Sequence, residues 1–385
     1  MMRKIIFWLH LLAGVVAGLV ILVISATGVT LAFEKELIAW AERGVRRVTP
    51  PAEAKRLPVD ELLERVRTAR PEFRPSSVTI LSDPSVAVFV SANRTNGYYI
   101  NPYTGAVQPQ GAQRTRAFLL KMIEWHRYLG RHDTQRPVGK MITGACNVAF
   151  CFLALSGLYL WWPRQWTRNA VQAVTRMNFS LRGKARDWNW HNAVGFWCAP
   201  ALFIVTLTAT PISYRWVTDT IYKMTRTTPP AAPGPLVIPP VAAEATPLSY
   251  AALLDAVQQH APRWHSITLR LGDKKQGVGF AVKQHDGTPR FVNAQFTLDA
   301  HTAAVLRSET YADYNTGRRV RSWMRFLHTG EALGPVAQFI AGLASLGGVF
   351  LVYTGLALAV RRFLRRKDPK ATTDTGRRPP APAQS

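Results

Sequence analysis

The chain has 385 residues, of which 48 are Lys or Arg and 23 are Asp or Glu, giving a formal net charge of +25, while 48% of it is hydrophobic and only 18% charged. Four stretches of about 25 residues are almost free of charge, and each exceeds the roughly 18 apolar residues that cross a bilayer, so a purely soluble protein is excluded. With that architecture the basic excess reports membrane topology and contact with an anionic lipid bilayer, and no nucleic acid is expected as a partner.

In chain order, the first predicted transmembrane helix occupies residues 1–33, its apolar run from Ile5 to Phe33 lying between Arg3-Lys4 and Glu34-Lys35. It is too long for the apolar core of a signal peptide, and a cleavage-like Ser25-Ala26-Thr27 does not explain three later spans. Residues 34–117 read as a small external α+β domain: helical periodicity over Leu57 to Ala69, strand-like Ser77 to Leu81 and Val86 to Val90, then Tyr99-Ile100-Asn101-Pro102-Tyr103-Thr104-Gly105-Ala106-Val107. Residues 118–162 combine an amphipathic helix, Phe118 to Leu129, with the second span, Val138 to Trp162, whose aromatic finish suits an interface. A basic loop, 163–187, leads to the third span, Trp188 to Tyr214. Residues 215–320 contain a Pro- and Ala-rich lead at 228–247, expected to be flexible, and a second α+β domain with a helix over Ser249 to Gln259 and strands over Ser266 to Leu271 and Val278 to Val282. Its turn sequence runs from Phe296 to Val305. Residues 321–362 hold the fourth span, Ala332 to Val360, which Arg361, Arg362, Arg365, Arg366 and Lys367 bring to a stop, and 363–385 read as a disordered tail.

Lys and Arg number 16 in the three short segments 1–4, 163–187 and 361–385, against 31 across the fourfold longer connections 34–136 and 215–331. The positive-inside rule therefore places both termini in the cytoplasm and both large domains across the membrane, in a bacterium the periplasm beyond the inner membrane. Cys146, Cys151 and Cys198 all fall within predicted spans, so no disulfide framework serves the external domains.

The two halves repeat. His10 placed on His191 brings Gly14 onto Gly195 and Thr27 onto Thr208 without a gap; Ser156-Gly157-Leu158 matches Thr354-Gly355-Leu356; and His126 corresponds to His328 if one helical turn of four residues is missing between marker and span in the second copy. The expected fold is an integral membrane bundle of four transmembrane helices with two α+β domains and an internal two-fold repeat. Two helix-then-hairpin modules, one with an Asn-Pro-Tyr-Thr-Gly turn, inserted between membrane helices that carry His near their ends, resemble the PepSY-associated transmembrane family. Within it, the likeness is to inner-membrane ferric-siderophore reductases of the FoxB type. The resemblance implies PepSY-like periplasmic domains and, as electron acceptor, a ferric siderophore. The second module has Ala303 where the first has Gly105, which leaves open whether both modules do the same job.

Four of the nine histidines lie at span ends in repeat-related pairs. On the topology above, His10 and His191 share the cytoplasmic depth, and His126 and His328 share the opposite one. Two imidazoles at equal depth on neighbouring helices supply both axial nitrogens to one iron, so the pattern allows two b-type haems, one near each face, with these four residues as ligands. Imidazole binds iron without adding a buried charge. His132 lies close enough to His126 to compete for its place. Gly14, Gly18, Gly195, Gly130 and Gly334 offer room for a macrocycle, though tight helix packing uses the same small residues. Arg321 and Arg325 precede His328 by seven and three positions, on its face of a helix, where they would pair with haem propionates or face solvent. Trp125, Trp190 and Trp323 flank the histidines as pocket walls or interface anchors.

The sequence has no HExxH, no phosphate-binding loop, no dinucleotide fingerprint and no flavin or nicotinamide domain, so electrons would come from a membrane quinol or a cytoplasmic reductase. The expected function is a haem-dependent ferric-siderophore reductase. The rival readings are an iron-siderophore transporter, which the scarcity of polar residues in the spans disfavours, and a haem-free binding or regulatory module.

Overall fold

The computed structural model describes residues 1–364 except 54, 94–95, 164–165, 232–233, 237–245, 273–276, 285–288 and 290. Most of the expected tail, the stop residues Arg365, Arg366 and Lys367, and much of the Pro- and Ala-rich lead lie outside the described residues.

In chain order the elements are α1 (Met2–Leu31), α2 (Glu34–Ala41), α3 (Arg43–Arg46), α4 (Val59–Ala69), strands β1 (Ser77–Leu81), β2 (Val88–Ser91), β3 (Gly97–Ile100) and β4 (Val107–Pro109), then α5 (Gln113–Tyr128), α6 (Arg136–Trp161), α7 (Arg168–Thr175), α8 (Gly183–Ser213), α9 (Arg215–Met224), α10 (Tyr250–His260), strands β5 (Trp264–Arg270), β6 (Val278–Gln284), β7 (Ala294–Leu298) and β8 (Val305–Glu309), and finally α11 (Thr316–His328) and α12 (Pro335–Phe363). The helices α1, α6, α8 and α12 are long and apolar enough to span a membrane. They pack as a bundle in which α1 and α8 each touch both α6 and α12. Apolar residues such as Val16, Leu19, Trp197 and Phe339 stay exposed on the outside of the bundle, while Ile21, Phe150, Leu202 and Ala344 form its core.

The sheet domain departs from the expectation of two separate modules. Each half does contribute one helix and a four-stranded antiparallel meander, but β1 and β5 pair through five registered positions, Ser77 with Arg270 to Leu81 with Ser266. One continuous antiparallel sheet results, in the order β4-β3-β2-β1-β5-β6-β7-β8. The reason is physical: apart, β1 and β5 would each be an edge with unpaired amides and carbonyls and no charged guard residue in its middle, and pairing removes both edges. Val78, Ile80, Ile267, Leu269 and Phe280 alternate onto one face, where α4 and α10 cover them with Leu62, Val66, Leu253 and Val257, all at most 5% exposed. Each such burial contributes about 1.5–3 kcal/mol. Asp60 of α4 also accepts from the first amides of α10, Tyr250 N at 2.9 Å and Ala251 N at 2.8 Å, tying the halves together at a helix N-terminus.

Span boundaries move as helix geometry requires. The third begins at Gly183, not Trp188, because Asp187, 1% exposed, is held by Arg186 and lies 3.1 Å from Arg361 Nε of α12, so the helix extends beyond its apolar run. The fourth begins at Pro335 after a turn at Glu331–Leu333, and the residues before it form the separate helix α11. The basic loop contains α7, capped by Thr167.

Candidate functional site

The four repeat-related histidines come together as two pairs. The rings of His10 on α1 and His191 on α8 have centres 6.5 Å apart at an interplanar angle of 86°; those of His126 on α5 and His328 on α11 are 6.3 Å apart at 48°. A metal lies about 2 Å from an imidazole nitrogen that ligates it, and the ring centre roughly 1 Å beyond, so two opposed ligands of one metal have ring centres roughly 6 Å apart.

Every ring is held at Nδ1. His10 Nδ1 lies 2.8 Å from Ser156 Oγ, His191 Nδ1 2.9 Å from Thr354 Oγ1, and His126 Nδ1 3.0 Å from Thr27 Oγ1. Each hydroxyl donates its one hydrogen to a carbonyl of its own helix, Phe152, Phe350 and Val23 respectively. It therefore accepts from the imidazole, which fixes the Nδ1–H tautomer. His328 Nδ1 donates to the carbonyl of Val205 at 2.9 Å, a partner that only accepts. In all four rings the Nε2 lone pair is the one left for a ligand, the arrangement by which supporting partners orient metal-binding histidines.

The His10–His191 pair opens on an apolar pocket between α1, α6, α8 and α12. Gly14 and Gly18 of α1, Gly157 of α6, Gly195 of α8 and Gly348 of α12 line it, with Phe150, Trp161, Phe196 and Leu202. Trp161 stacks on Phe196 at 4.3 Å and 20° and donates to Val174 O of α7. Gly157 and Gly355, the glycines of the matched tripeptides, face Cε1 of His10 and His191, where a β-carbon would lie 3.5 and 3.3 Å away. Both matched tripeptides thus contain residues that seat His10 and His191.

The His126–His328 pair lies just outside the spans: the two residues close α5 and α11, non-spanning helices that pack against α1 and α8. Thr27 and Val205 receive their rings, 17 residues along α1 from His10 and 14 along α8 from His191, so the two sites are separated by roughly 20–25 Å of helix rise. The turn out of α5 is tight: a β-carbon on Gly139 of α6 would come 2.2 Å from the Tyr128 carbonyl, so only glycine lets the end of α5 rest there.

His132 takes no part; it is largely exposed and lies 3.7 Å from Glu124. Gly130 and Gly334 serve turns at positive φ, 69° and 81°, and not a pocket wall. Arg321 and Arg325 are exposed on α11. Trp190 packs on Phe350, and Trp323 donates to the Tyr311 hydroxyl, so neither lines the inner pocket. Trp161 and Phe196 do, although the sequence marks them only as apolar residues of a span.

A family model, the PepSY-associated TM region, matches residues 7–362. No curated protein matches the chain.

Proposed function

The chain belongs to the PepSY-associated transmembrane family, and from that membership we propose that it is a membrane oxidoreductase that passes electrons between the two membrane faces and delivers them to a ferric siderophore. The observation that carries this reading is the arrangement of the four imidazoles: two pairs at ring separations of 6.5 and 6.3 Å, every ring held at Nδ1 by a hydroxyl or carbonyl. That donor set fits haem b: His10 and His191 would hold an inner haem, and His126 and His328 an outer one. Glycines and apolar side chains line the inner pocket, a lining that suits a flat apolar ring. Bound there, haem supplies a reversible one-electron carrier at each site.

The chain's own residues do the rest. Ser156, Thr354, Thr27 and the Val205 carbonyl orient the rings, and the aromatic and aliphatic walls of the inner site keep water out, which sets a low local dielectric. Orientation follows from the charge distribution, with both termini and the basic loop cytoplasmic and the sheet domain in the periplasm. The halves of the chain then stand in a two-fold repeat, one histidine of each pair from each half. An external ferric complex suits such a protein, because hard oxygen donors hold ferric iron far better than ferrous, so one-electron reduction releases it. A membrane quinol or a cytoplasmic reductase would supply the electrons.

The test is oriented reoxidation. Dithionite-reduced protein in nanodiscs is mixed with hydroxamate or catecholate ferric siderophores while the visible α band and a ferrous chelator are followed. Reoxidation faster than the buffer control, with ferrous iron trapped, is expected. No acceleration by any ferric complex overturns the acceptor assignment.

A further inference from the structure

The outer imidazoles sit at the ends of helices that do not cross the membrane: the bundle receives their rings at Thr27 and Val205, and the far end of each helix is held by the sheet domain. Each helix is fastened near its start by a forked Arg–carboxylate pair. On α5, Arg116 donates from Nε to Glu42 Oε1 at 2.8 Å and from Nη2 to Oε2 at 2.7 Å. Glu42, 1% exposed, joins α2 to α3 and also accepts from the Tyr99 hydroxyl of β3 at 2.9 Å. On α11, Arg318 donates from Nη2 to Glu309 Oε2 at 2.8 Å and from Nη1 to Oε1. Glu309 ends β8, and the guanidinium lies 3.7 Å from the ring centre of Tyr314.

The two clamps share a register. Arg116 precedes His126 by ten residues, and Arg318 precedes His328 by ten, roughly 15 Å of helix in each case. Their anchors, β3 and β8, lie toward opposite ends of the one sheet. Forked charge-assisted pairs give direction as well as energy, which exposed single contacts such as Arg67–Glu64 do not. Burial and the adjacent Glu42 push the Tyr99 hydroxyl up to about 12, and the Arg318 hydrogen bond holds the Glu309 carboxyl below the usual glutamate range.

We propose that Arg116 and Arg318 are positioning residues for the outer histidine pair, through which the sheet domain, as a single frame, fixes the separation of His126 and His328. This rests on the reading of that pair as axial ligands. It makes the β1–β5 junction part of the site, since the frame needs both halves of the sheet.

The experiment uses the full-length protein in detergent. Arg318→Lys keeps the charge and loses the fork, and the double variant Glu309→Arg/Arg318→Glu rebuilds the pair in reverse. In Arg318→Lys, the outer haem's potential and low-spin spectrum are expected to shift while the inner haem's stay as in the parent, with the reversed pair restoring both. In haem-free protein, amide exchange over 316–328 is expected to quicken by about tenfold, the change that roughly 1.4 kcal/mol of local stability makes. Exchange over 183–213 should not change. Unchanged outer signals and exchange in Arg318→Lys and Glu42→Gln overturn the proposal, as does equal loss of both haems, which would make the clamps general supports of the fold. A parent protein that binds no haem defeats the ligand reading instead, and the exchange measurement then decides the clamps alone.

Discussion

At the inner imidazoles a single hydroxyl decides which nitrogen is offered. Replacing Thr354 by Val keeps the shape of the side chain and removes the acceptor for His191 Nδ1–H, and Ser156→Ala does the same for His10. Loss of such a supporting partner costs typically 10–100-fold in metal-site affinity, so haem titration into cofactor-free protein is expected to show that weakening at one site and none at the other. At the outer site, protonation of Glu309 undoes its clamp. Because the hydrogen bond to Arg318 depresses its folded pKa, that contribution is fully present above the ordinary glutamate value of about 4.3 and fades as pH falls through the lowered one. Amide exchange over 316–328 is expected to be pH-independent in protection between about pH 7 and 5 and to lose protection below about pH 4. The histidines and their pairing were legible from depth and repeat register. Ser156 and Thr354 were visible only as markers of the repeat, because a hydroxyl's partner on another helix is a tertiary fact. His126 over His132 was decided by the left-handed turn at Leu129 and Gly130, which carries His132 out to Glu124.

Among the elements, the two turn sequences show how one backbone shape is reached by different residues. Asn101 Oδ1 accepts from Tyr103 N and Thr104 N, and Asp299 Oδ1 from His301 N and Thr302 N; Gly105 and Ala303 then close equivalent turns at φ 72° and 58°. A β-carbon in that left-handed region costs about 1–2 kcal/mol. Ala303→Gly is therefore expected to stabilise the sheet domain by up to about 1 kcal/mol, after the entropy gained by the unfolded chain is set against it, and denaturant unfolding of the full chain followed by tryptophan fluorescence would check it. Strand and helix positions of both halves were readable from period-2 and helical patterning. The joint sheet was not, because β1 and β5 are distant in sequence and their pairing satisfies edges that local patterning cannot see. The independence of α11 from α12 was hidden for a similar reason: a positive-φ turn at Gly330 and Gly334 breaks an apparently continuous stretch.

Across the whole molecule, the bundle supplies two sites roughly 20–25 Å apart along its helices and the sheet domain frames the outer one. Orientation is testable by itself: reporters fused after residue 175 and at the C-terminus should both read cytoplasmic, and an external reading at either would reverse the assignment of inner and outer pairs. The most direct measurement is the ratio of haem to protein in the purified full-length chain, taken with its visible spectrum and repeated for His191→Ala and His328→Ala. Two b-type haems per chain in the parent and one in each variant, the surviving haem keeping its low-spin bands, is the result expected; a colourless parent, or variants that keep both haems, would contradict the account.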